Sequence, residues 1–158
     1  MEVRDIMVRM LVCISEDQSL ETAARLMLDR GVGCLLVTGE GGSLLGIITE
    51  SDFTGKKRGF PFSAYSAPQI LGEWIGADGL EGIYAAARTR QVGDVMTRHV
   101  ITATEGESLT ALAVRMIERR IHRVPVVRDG NAVGIVTRRD LLKAMVEIAG
   151  ASRSESQD

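Results

Sequence analysis

Gly46-Ile-Ile-Thr-Glu-Ser-Asp52 and Gly134-Ile-Val-Thr-Arg-Arg-Asp140 are two versions of one phrase, and each closes a longer stretch of self-similar sequence, Val3 to Phe53 and Val92 to Leu141. Asp5-Ile6-Met7 answers to Asp94-Val95-Met96, Glu16 to Glu105, Ser19-Leu20 to Ser108-Leu109, Met27 to Met116 and Arg30 to Arg119, all at one spacing. The spacing slips once. From Gly41 to Gly46 the first copy has one residue more than from Gly130 to Gly134 in the second, where a hairpin between strands absorbs an insertion at little cost.

On either side of the phrase, each copy shows one order of elements. Val12 to Ile14 and Val100 to Thr102 read as short strands. Ser19 to Arg30 and Ser108 to Arg120 carry apolar residues at helical period, as in Leu20, Ala23, Ala24, Met27 and Leu28. Apolar runs at Cys34 to Thr38 and Val124 to Val127 follow. Gly-rich turns at Gly39 to Gly42 and Asp129-Gly130-Asn131 then lead into strands at Leu44 to Ile48 and Ala132 to Val136. A helix begins in the phrase itself; in the second copy it covers Arg138 to Ile148, with Leu141, Leu142, Met145 and Ile148 on one face. The expected fold is α/β (α+β), two βαββα repeats with an inserted aromatic-rich loop and helical segment. A copy of about 50 residues cannot hide both faces of its own sheet, so two copies packed face to face are expected to close one core.

Composition narrows the function. The 158 residues are 45% hydrophobic with a formal net charge of −2, enough to bury a core and too acidic for a global attraction to nucleic acid. No apolar run approaches the ~18 residues of a membrane span, and charged residues follow Met1 at once; the chain reads as soluble, cytoplasmic and without membrane insertion. Cys13 and Cys34 lack zinc or disulfide spacing and read as buried free thiols.

The phrase Gly-x-x-Thr-x-x-Asp has two physical readings. A Thr three residues before an acid, between a strand and a helix, has the spacing of a capping box. Free amides at a helix start also form an anion site, where a Thr hydroxyl meets phosphate. The carboxylate accepts paired donors such as the two hydroxyls of a ribose, and the Gly leaves room for close approach. Recurrence in both copies favours a ligand without removing the cap.

These residues resemble a tandem pair of cystathionine β-synthase (CBS) domains, a Bateman module. The marks are the two Gly-h-h-Thr-x-x-Asp phrases (h, hydrophobic), the segment Ile121-His122-Arg123-Val124-Pro125-Val126-Val127, and the Asp-h-Met openings at Asp5 and Asp94. The resemblance implies two clefts under pseudo-two-fold symmetry and a regulatory sensor of adenosine nucleotides (AMP, ADP or ATP) or of S-adenosylmethionine. It also implies self-association of two modules as a homodimer. In that pattern Asp52 and Asp140 hold ribose hydroxyls, Thr49 and Thr137 reach phosphate, and Ile47, Val124 and Ile135 line the base pocket. His122 and Arg123 match a His-Arg pair that faces phosphate in some relatives. The repeats then occupy 1–53 and 92–150, with a connecting segment at 54–91 and a polar, disordered tail at 151–158.

Charge makes the copies unequal. Copy two carries Arg138-Arg139 in its phrase and His122-Arg123 before its strand, where copy one has Glu50-Ser51 and Gly33-Cys34. A guanidinium takes phosphate bidentately and a carboxylate opposes it, so the Asp140 site is expected to bind a phosphorylated adenosine more tightly than the Asp52 site. Lys56-Lys57-Arg58 is a further source of charge for copy one.

All six aromatic residues lie from Phe53 to Tyr84. That density makes the connecting segment a cap on copy one, a lid or a docking surface rather than a plain polar linker, with short helices at Pro68 to Ile75 and Leu80 to Arg90. His99 and His122, the only histidines, fit no metal spacing, and no Ser, Cys or Lys sits in a nucleophile signature. His99 reads as an exposed strand-edge residue. Glu16, Asp17, Glu105 and Glu107 read as helix-start charges. The expectation is therefore a non-catalytic protein with no metal and no required cofactor, whose output passes through self-association or a separately encoded effector. A ligand-free interaction scaffold and a sensor of an adenine dinucleotide are the alternatives.

Overall fold

Ser19 starts the first long helix by accepting the Thr22 amide at 3.1 Å, and Gly31, in the left-handed region at φ 61°, ends it. In the computed structural model this logic organises the residues described, 1–53 and 88–154, with side chains through residue 148. Lys56-Lys57-Arg58, the aromatics from Phe60 to Tyr84, the helix expected at Pro68 to Ile75 and most of that at Leu80 to Arg90 lie outside the described residues, as do residues 155–158. The elements are β1 (Cys13–Ile14), α1 (Leu20–Arg30), β2 (Cys34–Thr38), β3 (Leu44–Thr49), α2 (Glu50–Phe53), α3 (Val92–Val95), α4 (Leu109–Glu118), β4 (Arg123–Arg128), β5 (Asn131–Thr137) and α5 (Arg138–Ser154), with short 3-10 turns at Val3–Asp5 and Glu40–Gly42.

The described chain forms two compact units, and neither is a contiguous copy of the repeat. One unit is Val12–His99; the other joins Met1–Leu11 to Val100–Asp158. The opening of each copy thus belongs to the unit built on the other.

In the Val12–His99 unit, β1 runs parallel to β2 and β2 antiparallel to β3. Thr97 of the second opening continues the sheet by bridging Ile47, with hydrogen bonds of 2.9 and 3.0 Å. Leu20, Ala23 and Met27 of α1 close on Leu35, Val37 and Ile48, and Val92, Val95 and Met96 complete the cluster. In the other unit β4 and β5 pair antiparallel, and Val8 bridges Ile135 at 2.9 and 3.0 Å. Its core gathers Val3, Met7, Leu112, Met116, Val124, Val126 and Val136. Each sheet buries one face under its own helix and a borrowed opening segment.

The strand expected at Val100 to Thr102 is absent, leaving one parallel bridge from Ala103 to Val126. The cause is Pro125. In the first copy the Leu36 amide donates to Val12 O at 3.1 Å; Pro125 occupies the corresponding place and has no N–H to donate, so the ladder stops at Ala103. The last helix also departs from expectation. Leu141 and Ala144 face the core, whereas Leu142, Met145, Val146 and Ile148 are each more than half exposed. Helix α5 continues through Ser154, into the stretch read as a disordered tail.

Candidate functional site

Both phrases fold into the same hydrogen-bonded corner. Asp52 Oδ2 accepts the Thr49 amide at 2.8 Å and the Thr49 hydroxyl at 3.2 Å. Asp140 Oδ2 accepts the same groups of Thr137 at 2.8 and 2.6 Å. Both carboxylates are buried, 5% and 7% exposed. The corner closes at the β2 and β4 starts, where Glu50 N–H donates to Gly33 O and Arg138 N–H to His122 O, each at 3.1 Å. The capping role is real, because each acid reaches back to an orphan amide at the helix start. It engages one oxygen of Asp140; Oδ1 has no hydrogen bond among the described residues and remains an acceptor for incoming donors.

Register decides which side chains share this corner. Arg123 lies directly across from Thr137, Pro125 from Ile135, and Val124 from Val136. Strand side chains alternate faces and cross-strand partners share one. Arg123, Thr137 and Ile135 therefore share the face turned away from the core, while Val124, wholly buried among core residues, lies on the other. That placement corrects Val124 as a base-pocket residue. In copy one the same face carries Cys34 opposite Thr49 and Leu36 opposite Ile47. His122, Arg138 and Arg139 are exposed and Arg123 is half-buried.

The glycine of each phrase makes room for protein rather than ligand. A Cβ on Gly46 would sit 2.7 Å from Thr97 O and 2.9 Å from Met96 Sδ; one on Gly134 would sit 2.6 Å from Met7 Sδ. Both methionines belong to the Asp-h-Met openings. Glycine and opening are one device, by which a borrowed segment packs against bare backbone.

Three of the four acids read as helix-start charges, Glu16, Glu105 and Glu107, have specific partners. Arg98 meets Glu16 at 3.0 Å, Arg115 meets Glu107 at 3.0 Å, and Arg9 meets Glu105 at 3.2 Å. Glu105 also accepts from Arg128 Nε at 2.8 Å, and the Arg128 hydrogen bond, with Arg9 adding to it, holds its carboxyl below the usual glutamate value. Arg9 and Arg98 stand at corresponding places in the two copies, as do Glu16 and Glu105; that coupled recurrence was the available signal for the exchanged openings. His99 is exposed in a bend and not at a strand edge.

Neither cysteine is buried: Cys13 is exposed and Cys34 half-buried. Neighbouring groups partly desolvate the Cys13 sulfur despite its exposure and raise its pKa, against a hydrogen bond with Thr38 that lowers it. Beside α1, a cavity of about 520 Å³ is lined by Met27, Leu28, Val32, Glu50 and Phe53 among others. Among the described residues no cluster of His, Cys, Asp and Glu suits a metal ion, and no helix is long and apolar enough to cross a membrane.

The family model described as CBS domain matches residues 3–58 and 92–147, and the chain belongs to that family. An uncharacterised protein of Methanocaldococcus jannaschii, MJ1426, is 33% identical over 157 residues, which cover 92% of each chain. The CBS domain of a CBS domain containing membrane protein from Sphaerobacter thermophilus superposes with a TM-score of 0.72 at 43% identity, covering 90% of this chain and 86% of that one. The CBS domain pair of protein MJ0100, solved in complex with 5'-methylthioadenosine and S-adenosyl-L-methionine, superposes with a TM-score of 0.67 at 26% identity, covering 93% and 97%.

Proposed function

We propose that this chain is a non-catalytic regulatory module that binds adenosine nucleotides (AMP, ADP or ATP), more tightly at Asp140 than at Asp52. The observation that carries the reading is the register of β4 and β5. It sets Arg123 across from Thr137, whose amide and hydroxyl are tied to a buried carboxylate with one oxygen still available. A ribose diol donates to Asp140 Oδ1, the base lies along Ile135, and the phosphate meets Arg123, His122 and the exposed Arg138 and Arg139, with Thr137 joining them once its hydroxyl turns from Asp140 Oδ2. At Asp52 the corresponding side chains are Cys34, Glu50 and Ser51, and the Thr49 hydroxyl is already engaged with Ser51 at 2.8 Å. Ile47 takes the base-lining place there.

Occupancy is relayed through a second copy and a separately encoded effector. Val114 and Ile117 of α4, with Leu142, Met145 and Val146 of α5, expose apolar surface in one unit, the kind of surface that association covers. Sedimentation is expected to give a dimer, and Leu142→Glu with Met145→Glu a monomer.

Calorimetry with AMP, ADP and ATP on the wild type, Asp52→Ala and Asp140→Ala tests the sites. Asp140→Ala is expected to abolish most of the heat and Asp52→Ala to spare it; equal losses overturn the ranking. A sensor of S-adenosylmethionine or methylthioadenosine is the second reading, supported by the ligands of MJ0100. Preference for these over AMP in the same titrations would establish it.

A further inference from the structure

We infer that the Asp140 site takes an adenosine ligand with more than one phosphate, and that Arg119 and Arg120 hold the distal phosphates; this rests on the nucleotide reading above. At corresponding places copy one has Arg30, Gly31, Gly33, Cys34, Glu50 and Ser51, whereas copy two has Arg119, Arg120, His122, Arg123, Arg138 and Arg139. Arg30 and Arg119 are basic in both copies; at the other five places copy two carries a basic residue where copy one has a neutral or acidic one. The fold brings them to one end of the unit: Arg119 caps α4, Arg120 and Ile121 lead into β4, and His122 O receives the Arg138 amide.

These cations differ from the others in the unit. Arg9, Arg115 and Arg128 each meet a glutamate, but Arg119, Arg120, Arg138, Arg139 and Lys143 make no ion pair among the described residues, and neighbouring Glu118 pairs with none of them. Like charges gathered without an ion-paired acid repel one another, and an anion with several charges relieves that repulsion. In this reading the first phosphate meets Arg123, across from Thr137, and the α5 start, and Arg119 and Arg120, just before β4, take the phosphates beyond it.

Arg120 adds a separate sign. It holds φ at 53°, where the corresponding residue of copy one, Gly31, sits at 61°. Glycine takes that conformation freely and an L-residue at a cost of about 1 kcal/mol. Copy two thus accepts backbone strain and gains a guanidinium. A small polyphosphate fits the cluster better than single-stranded nucleic acid does, because residues 1–11 and 100–158 contain no Phe, Tyr or Trp to serve as the stacking platform that bases use.

The test measures AMP, ATP and inorganic tripolyphosphate binding to the wild type, Arg119→Gln and Arg120→Gly by calorimetry. Glycine suits the 120 position, so the second variant loses charge without losing fold, and a thermal melt checks both. Wild type is expected to prefer ATP to AMP. Each variant is expected to weaken ATP and tripolyphosphate about tenfold, the scale of one charge-assisted contact, with AMP unchanged. An unaltered ATP-to-AMP ratio in both variants, or equal losses for the two nucleotides, overturns the inference and leaves the nucleotide reading standing. A wild type that binds neither nucleotide overturns both. Tripolyphosphate binding that is unchanged by either variant counts against Arg119 and Arg120 alone.

Discussion

In the Val12–His99 unit the residue across from the motif threonine is Cys34, and the helix start carries Glu50 and Ser51; in the other unit the same places hold Arg123, Arg138 and Arg139. Beneath that difference the units share their scaffold. Each has a threonine tied to a buried aspartate, a glycine packed on a borrowed methionine, and an arginine of the borrowed segment paired with the glutamate before its long helix. Scaffold positions have been held equal while the side chains around the threonine–aspartate corner have diverged, so a duplicated fold need not carry duplicated surface chemistry.

The largest effects test the shared scaffold. Gly46→Ala drives a Cβ against the Thr97 carbonyl, which is backbone and cannot step aside; Gly134→Ala meets only the flexible Met7 side chain. Overpacking costs of about 1–3 kcal/mol place Gly46→Ala at the upper end and Gly134→Ala at the lower. Urea denaturation of the two variants reads the order directly, and the reverse order would break the equivalence of the two borrowed segments.

A smaller effect separates the helix ends. Gly31→Ala is expected to cost about 1 kcal/mol and Arg120→Gly to stabilise the unliganded protein by up to about 1 kcal/mol, since both positions have positive φ and only glycine occupies it without strain. Thermal melts of the pair check the opposite signs.

The smallest concerns acid sensitivity. Glu105 is held by Arg128 and Arg9, so its carboxyl titrates lower in the folded protein than in the unfolded chain. The stability this contributes is present above the ordinary glutamate value and is lost as pH falls through the lowered one. Glu105→Gln is expected to flatten the acid limb of stability in that window. Melting curves from pH 6 to about 3, below the ordinary glutamate pKa, measure it.

Much of the fold was legible in the residues. Helical period marked α1 and α4, hairpin glycines marked both turns, and Thr-x-x-Asp marked the corners, because each is a local signal that neighbouring atoms satisfy. The missing first strand of copy two was also present in principle, as a proline where the ladder needs a donor. Two things were not legible. The opposite faces of Val124 and Ile135 depend on a register that only the pairing displays. The partner of each Asp-h-Met opening depends on a choice between two near-identical surfaces.

That choice marks the division between what the residues determine and what the tertiary structure decides. By itself the sequence determined the repeat, its elements, the threonine–aspartate corner and the inequality of charge, since all of these reside in residue identity and short spacing. The tertiary structure decided that residues 1–11 complete copy two and that the second opening completes copy one. Both copies carry the same glycine, methionine, arginine and glutamate for that docking, so local chemistry cannot select the partner; the path of the whole chain does.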